Sequence, residues 1–431
     1  MDNFLWWKNT FIYEFYVDKF AGNFKKLAAN LDYFTALGIN CLHVLPHYPS
    51  PMIDDGYDVS DYRAVRPELG TLGDFRKFVR EAHVRKIRIL IDLILNHVSS
   101  EHPWFREARS SKNNSKRDYF IWSETNTELK DSINAFPHLK PNNWIYNKAT
   151  NDYYYATFYP EQPDLNWNNP RVFEEMMEIM DFWIESGVDG FRLDAASHLI
   201  KKEGTPSKSL PETHLLLKKI RSRLTRIAPY KVLLAEVPDT LDEVKKYFGD
   251  GGGDECNLVY HFPMSESLIL AVIRNDRTQI DKLIAASFDI PAGCQWAVFL
   301  RNHDELSLQT LGSDAGKEIL EHCDPGRKYL FGEKWGLSMR LASMFKEDKE
   351  KIKKAFSILL SIPASTVIYY GEEIGMVNDK SIGEQKDTRR YVRGVFDWAA
   401  ARAQMKDPHS LFSFVAALIR KRTDTRDNSP K

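Results

Sequence analysis

The chain has 431 residues, 43% of them hydrophobic, and a formal net charge of -1 from 59 Lys+Arg and 60 Asp+Glu. That size allows one large domain with insertions, or two or three smaller ones. The balanced charge excludes the basic excess of a nucleic-acid binder and the acidic excess of a disordered chain, and the 13% aromatic content suits core packing or sugar-stacking platforms.

Apolar runs alternate with amphipathic patterns. "FIYEFYV" (11–17) reads as the first strand. Phe24, Leu27, Leu31 and Phe34 then recur at helical spacing, with Gly38 closing the helix at its C′ position. "CLHVLP" (41–46) is the second strand, 74–86 a helix, and "RILIDLIL" (88–95) the third strand. Residues 98–165 break the alternation and are rich in Asn, Ser, Pro and Tyr. They read as an inserted subdomain whose "WIYNKATNDYYYATFY" (144–159) is a hairpin with "NKATND" as its loop. Asn169 then N-caps a helix with Pro170 in its first turn and a Phe173, Met176, Ile179, Met180, Trp183 stripe ended by Gly187.

"GFRLDA" (190–195), "KVLLAE" (231–236), "LVYHFP" (258–263), "WAVFLRN" (296–302) and "STVIYYG" (365–371) read as strands four to eight. Helices are expected over 211–227, 264–286, from the charged run at 346–354, and over 408–422. Eight strand–helix units predict a closed parallel (β/α)₈ TIM barrel. An open doubly wound sheet is the alternative, and it would usually carry a glycine-rich fingerprint after strand one, absent here. The predicted divisions are a first barrel part (1–97), the insertion (98–165), the rest of the barrel (166–422) and a disordered tail (423–431).

Cys41, Cys256, Cys294 and Cys323 form no CxxC pair, so reduced thiols in a cytoplasmic protein are expected and a zinc site is not. The N-terminal stretch has neither a basic start nor a small-residue cleavage site, and no run of 18 apolar residues offers a membrane span.

Polar residues gather where the strands end: Asp92, Asn96 and His97; Arg192 and Asp194; Glu236; Asn302, His303 and Asp304. Any one group reads equally as a structural ion pair. Carboxylates converging on the C-terminal mouth of a barrel repel one another and cost desolvation, which favours chemistry over stability. Three carboxylates and an arginine suit glycoside cleavage, with a proton donor on one face of an oxocarbenium-like state and a carboxylate on the other. Arg192, two before Asp194, points to the same side of the strand and keeps it ionised.

With "DLILNH" (92–97), "GFRLDAASH" (190–198), "LLAE" (233–236) and "FLRNHDE" (299–305), in this order, and "QPDLNW" (162–167) as a fifth region, the chain resembles the α-amylase superfamily, glycoside hydrolase family 13, over nearly its whole length. The resemblance implies Asp194 as nucleophile forming a β-glucosyl-enzyme, Glu236 as general acid/base and Asp304 as the grip on the 2- and 3-hydroxyls. It implies that Arg192, His97 and His303 contact the glucosyl unit or the nucleophile. It also implies structural Ca²⁺ beside the insertion, on Asn96, Asp164 and the His198 carbonyl, with a metal-free polar junction as the alternative. No organic cofactor is implied.

Within the superfamily, "LPHYPSPMIDDGYDVSDY" (45–62), "LPETH" (210–214), "YFGDGGGDECN" (247–257), "CQWAVFLRNHDELSL" (294–308) and "YYGEEIGM" (369–376) are similar to trehalose synthases. Asp54 and Tyr57 match residues that close the sugar site of exo-acting relatives, and Arg393 aligns with the arginine of an "RTPMQW" element of which Arg and Trp remain. His198 stands where that subfamily usually has tyrosine. The C-terminal β-sandwich domain common in the family is not expected, and a homodimer interface is one expectation for the face it would cover. The implied activity is retaining glucosyl transfer on small α-glucosides such as maltose, trehalose, sucrose or short oligosaccharides. Hydrolysis by an α-glucosidase or α-amylase, and a non-catalytic binding barrel, are the alternatives.

Overall fold

Eight short parallel strands close on themselves because each is apolar on the face packed against its helix and each connection is right for a parallel neighbour. The computed structural model describes residues 5–332 and 336–427. The barrel strands are β1 (Phe11–Phe15), β2 (Cys41–Val44), β3 (Arg88–Ile94), β4 (Gly190–Asp194), β5 (Val232–Ala235), β6 (Leu258–Tyr260), β7 (Gln295–Phe299) and β8 (Ser365–Tyr369). Each pairs in parallel with its sequence neighbours, and β1 pairs with β8 to close the ring. The open doubly wound sheet is thereby excluded.

Strand alternation sorts the interior into layers. Ile12, Cys41, Leu90, Val232, Leu234, Leu258, Ala297, Phe299 and Val367 pack together with Trp7 as an apolar lower layer. Two residues further along β1, β2 and β3 stand Glu14, His43 and Asp92, all fully buried. Gly190 opens β4 because a Cβ there would sit 2.4 Å from the Val232 carbonyl oxygen of β5.

The helices follow the predicted spans closely. Thr71 caps Leu72–Val84 in a capping box with Asp74, and Asn169 caps Pro170–Glu185 through the Arg171 N–H. Gly38 takes φ +93° after Leu31–Leu37, as a C′ glycine does. The first helical pattern divides at Asn30 into Phe24–Ala29 and Leu31–Leu37. After β5 the helix is only Leu241–Lys245. The last helix runs Leu411–Asp427, so residues 423–427 of the expected tail are helical; 428–431 lie outside the described residues.

The insertion after β3 carries the expected hairpin, Trp144–Asn147 against Asp152–Tyr155, with Trp122–Ser123 as a third strand. It is tied to the barrel by bridges His97–Asp164 and Phe120–Leu165. A second excursion, unanticipated, follows β7: two-residue strands 306–307, 336–337 and 330–331 form a small antiparallel sheet beside the helix Ser313–Cys323. Among the described residues no β-sandwich follows the barrel, and no helix is long and apolar enough to cross a membrane.

Candidate active site

Arg192 is the hub. It is fully buried on β4, directly across the ladder from Asp92 of β3. Its Nη1 donates to Asp92 Oδ1 at 2.6 Å and to Asp194 Oδ1 at 2.5 Å, and its Nη2 pairs with Glu236 Oε1. One guanidinium thus faces three carboxylates, which its planar fork can do where a lysine could not. After Asp194 the strand breaks: Ala195 takes a left-handed φ of +47°, rare for a residue with a side chain, and its N–H donates to Glu236 Oε2 at 3.2 Å.

Burial pushes the Asp194 carboxyl up to about 6, against the Arg192 charge. Burial likewise pushes Glu236 up to about 7, aided by the charges of Asp194 and Asp304. Both carboxyls are thus held above the ordinary carboxylate range, and they titrate together as a pair.

At the end of β7, His303 Nε2 lies 3.0 Å from Asp304 Oδ2, and its Nδ1 lies 3.0 Å from Glu14 Oε1. These carboxylates outweigh burial and lift the imidazole to about 10, so it is charged at neutral pH. The His303 charge, with Arg389 and Arg393, holds Asp304 well below the usual carboxylate range despite burial. Tyr57 stacks on the His303 ring at 5.3 Å and meets its Nε2 at 2.6 Å.

A cavity of about 130 Å³ lies over this floor, lined by Asp54, Tyr57, His97, Asp194, Glu236 and Asp304. Beside it a second cavity of about 280 Å³ shares Glu236 and Asp304 and is walled by Phe136, Phe158 and Phe331. The predicted residues converge, with a distinction. Asp54, Tyr57, His97, Asp194, Glu236 and Asp304 line the first cavity, while Arg192, His303 and Arg393 stand one layer behind it. His97 Nε2 is buried without a hydrogen-bond partner among the described residues, a polar group left for a ligand.

Arg393 is thus corrected from a sugar contact to a support. Its Nε donates to the His303 carbonyl at 3.0 Å, and its two Nη atoms hold Asp55 at 2.6 Å and Asp304 at 2.9 Å. The cavity-lining arginine is Arg389, four residues earlier. It bonds Asp54 Oδ1 at 2.9 Å and Asp304 Oδ1 at 3.3 Å, and its guanidinium lies 4.5 Å from the Phe331 ring. Gln162 donates to the other Asp54 oxygen at 3.0 Å. Sequence reasoning also passed over Glu305, which lines both cavities with Oε2 unpartnered among the described residues. Burial and the neighbouring Asp304 push it up to about 7.

The oxygen set expected to hold calcium surrounds a lysine. Asn96 Oδ1, Asp164 Oδ2 and the His198 carbonyl do converge, but on Lys201 Nζ, at 2.6 Å, 2.6 Å and within hydrogen-bond reach respectively. An ammonium occupies the centre of the oxygen set, and Ca²⁺ needs six to eight oxygens around an open centre. The residues present do not fit the ion. Among the described residues no cluster of three or more His, Cys, Asp or Glu side chains suits a metal either.

A parallel barrel with ionisable carboxylates at its C-terminal mouth, shared on one arginine beside a cavity, defines a glycoside-cleaving class of enzyme. The alpha-amylase catalytic-domain model matches residues 8–325, and the chain belongs to that family, glycoside hydrolase family 13. A trehalose synthase of Pimelobacter sp. is 38% identical over 407 residues, covering 89% of this chain and 69% of that relative. A trehalose synthase/amylase of Mycobacterium tuberculosis is 39% identical over 402 residues, covering 89% and 65%. The chain thus spans about two thirds of the length of these relatives. Among solved structures, a trehalulose synthase mutant in complex with Tris superposes with a TM-score of 0.77 at 26% identity, over 98% of this chain and 85% of that one. An alpha-amylase from H. orenii gives 0.76 at 27% identity, over 97% and 83%.

Proposed function

We propose that the protein is a retaining α-glucosyl enzyme that moves a glucosyl unit within or between small sugars, as in maltose–trehalose interconversion. The observation that carries this reading is the closed end of the first cavity, where Asp54 is held by both Arg389 and Gln162. That wall suits the non-reducing end of a short sugar.

In this reading the Asp194 carboxylate attacks the anomeric carbon as the C–O bond to the leaving sugar breaks. Glu236 gives its proton to the leaving oxygen. The β-glucosyl ester on Asp194 is then displaced by an incoming hydroxyl, whose proton returns to Glu236. Asp304, kept ionised, grips two ring hydroxyls. The second cavity, walled by Phe136, Phe158 and Phe331, supports retention of the released glucose while it turns. If water enters instead, the same residues hydrolyse. Four buried, unpaired cysteines support a reducing, cytoplasmic setting.

Incubation with maltose, trehalose and sucrose, followed by anomeric NMR, tests the proposal, with Asp194→Asn as the control for contaminating activity. Trehalose forming from maltose with little free glucose is the expected result. Glucose alone would replace isomerisation by hydrolysis, and no cleavage of any of the three would remove the enzymatic reading.

A further inference from the structure

We propose that His43 is a positioning residue for the catalytic carboxylates, a buried imidazolium that carries the counter-charge of Asp92 and so leaves Arg192 to Asp194 and Glu236. This rests on the glucosyl-transfer reading above. His43 lies on β2 with no exposed surface, between two carboxylates. Its Nδ1 is 3.1 Å from Glu14 Oε2 and its Nε2 is 2.9 Å from Asp92 Oδ2. A neutral imidazole has one N–H and one lone pair. With both carboxylates ionised, one ring nitrogen would set its lone pair against a carboxylate oxygen. An imidazolium donates to both.

The surroundings keep those carboxylates ionised. Asp92 also accepts from Arg192, and Glu14 accepts from the His303 backbone N–H at 2.8 Å, from its Nδ1, and from Tyr260 at 2.9 Å. These partners hold both acids low against burial, and the two acids in turn raise His43. Tyr57, 3.4 Å from Asp92 Oδ1, adds a neutral hydroxyl. The result is an alternating line under the mouth: Asp304, His303, Glu14, His43, Asp92, Arg192, Asp194. Without the His43 charge, Asp92 leans on Arg192 alone and its field falls on Asp194 and Glu236. Both would then protonate at higher pH.

The test compares wild type with His43→Gln by kcat/KM for maltose against pH. Both limbs are expected to move up, the acidic one by about one pH unit, which is a roughly tenfold loss on the acidic side, with no more than about threefold loss on the alkaline side. Limbs that stay in place under a uniform loss would make His43 structural only and overturn the proposal. Histidine ring ¹⁵N spectra of wild type give a second readout that needs no variant at position 43. At least two doubly protonated rings, His43 and His303, should persist at about pH 8.5, and His303→Gln should remove one. No doubly protonated ring left in His303→Gln would mean a neutral His43 and overturn the proposal. A wild type that transforms no α-glucoside would instead sink the functional reading, leaving the spectra to judge His43 alone.

Discussion

Asp194 and Glu236 share a guanidinium yet have different tasks in the proposed reaction, and pH should expose the difference. Asp194, raised to about 6, must be ionised, so activity falls as pH drops through that value. Glu236, raised to about 7, must hold its proton, so activity falls as pH rises through it. A narrow bell in kcat/KM with its top between the two limbs is expected, and its limbs belong to the pair. A profile flat across that range would contradict the assignment. Arg389 invites a sharper substitution. Arg389 also pairs with Asp387 Oδ2 at 2.7 Å, lysine cannot bridge Asp54, Asp304 and Asp387 together, and breaking a buried pair costs about 3–5 kcal/mol. Arg389→Lys should therefore lower kcat/KM by at least about a hundredfold, mostly through KM, and lower Tm by a few degrees. A loss confined to kcat would place Arg389 in the chemistry instead of at the end wall. The lesson for reading sequences is local. The motif match drew attention to Arg393, yet only geometry separates an arginine that lines a cavity from one that braces it. Glu14 and His43 were more legible than the reading made them, since each is a polar residue at an inward position of an apolar strand.

Strands and helices came through the sequence well because their signals are periodic and long. Pro170–Glu185 starts at its Asn169 cap, and Pro211–Ile227 matches its expected span with no side chain capping its start. The excursion after β7 left no such trace, because two-residue strands have no period to detect. That excursion nevertheless supplies Phe331, which packs on Phe136 from the insertion at 5.4 Å between ring centroids. The two insertions meet there, over the second cavity, with Tyr159 joining the cluster. Removing that contact should admit water. Phe331→Ala is expected to raise the share of maltose lost to free glucose by about twofold or more, while the Asp194-dependent cleavage persists. An unchanged product ratio would mean that the aromatic wall does not exclude water.

The barrel as an architecture was legible from eight apolar runs and the polar residues at their ends, since a parallel barrel puts chemistry at one rim. What the rim binds was less so, because the oxygen set of Asn96, Asp164 and His198 says nothing about its occupant. The lysine that fills it is three residues beyond His198, hidden in an ordinary "LIKKEG". Lys201→Met should strand the buried Asp164 and lower Tm by roughly 3–6 °C, whereas chelator should leave the wild-type Tm unchanged. A chelator-sensitive wild type would reverse the assignment.

A bound ion stabilises by mass action, in proportion to the logarithm of its free concentration, and departs on dilution. Lys201 is tethered through the backbone, so its local concentration never varies. The junction between insertion and barrel, and with it the roof of the cavities, is therefore insulated from the ionic composition of the surroundings. The stability of this part of the fold is set once, when the chain is translated.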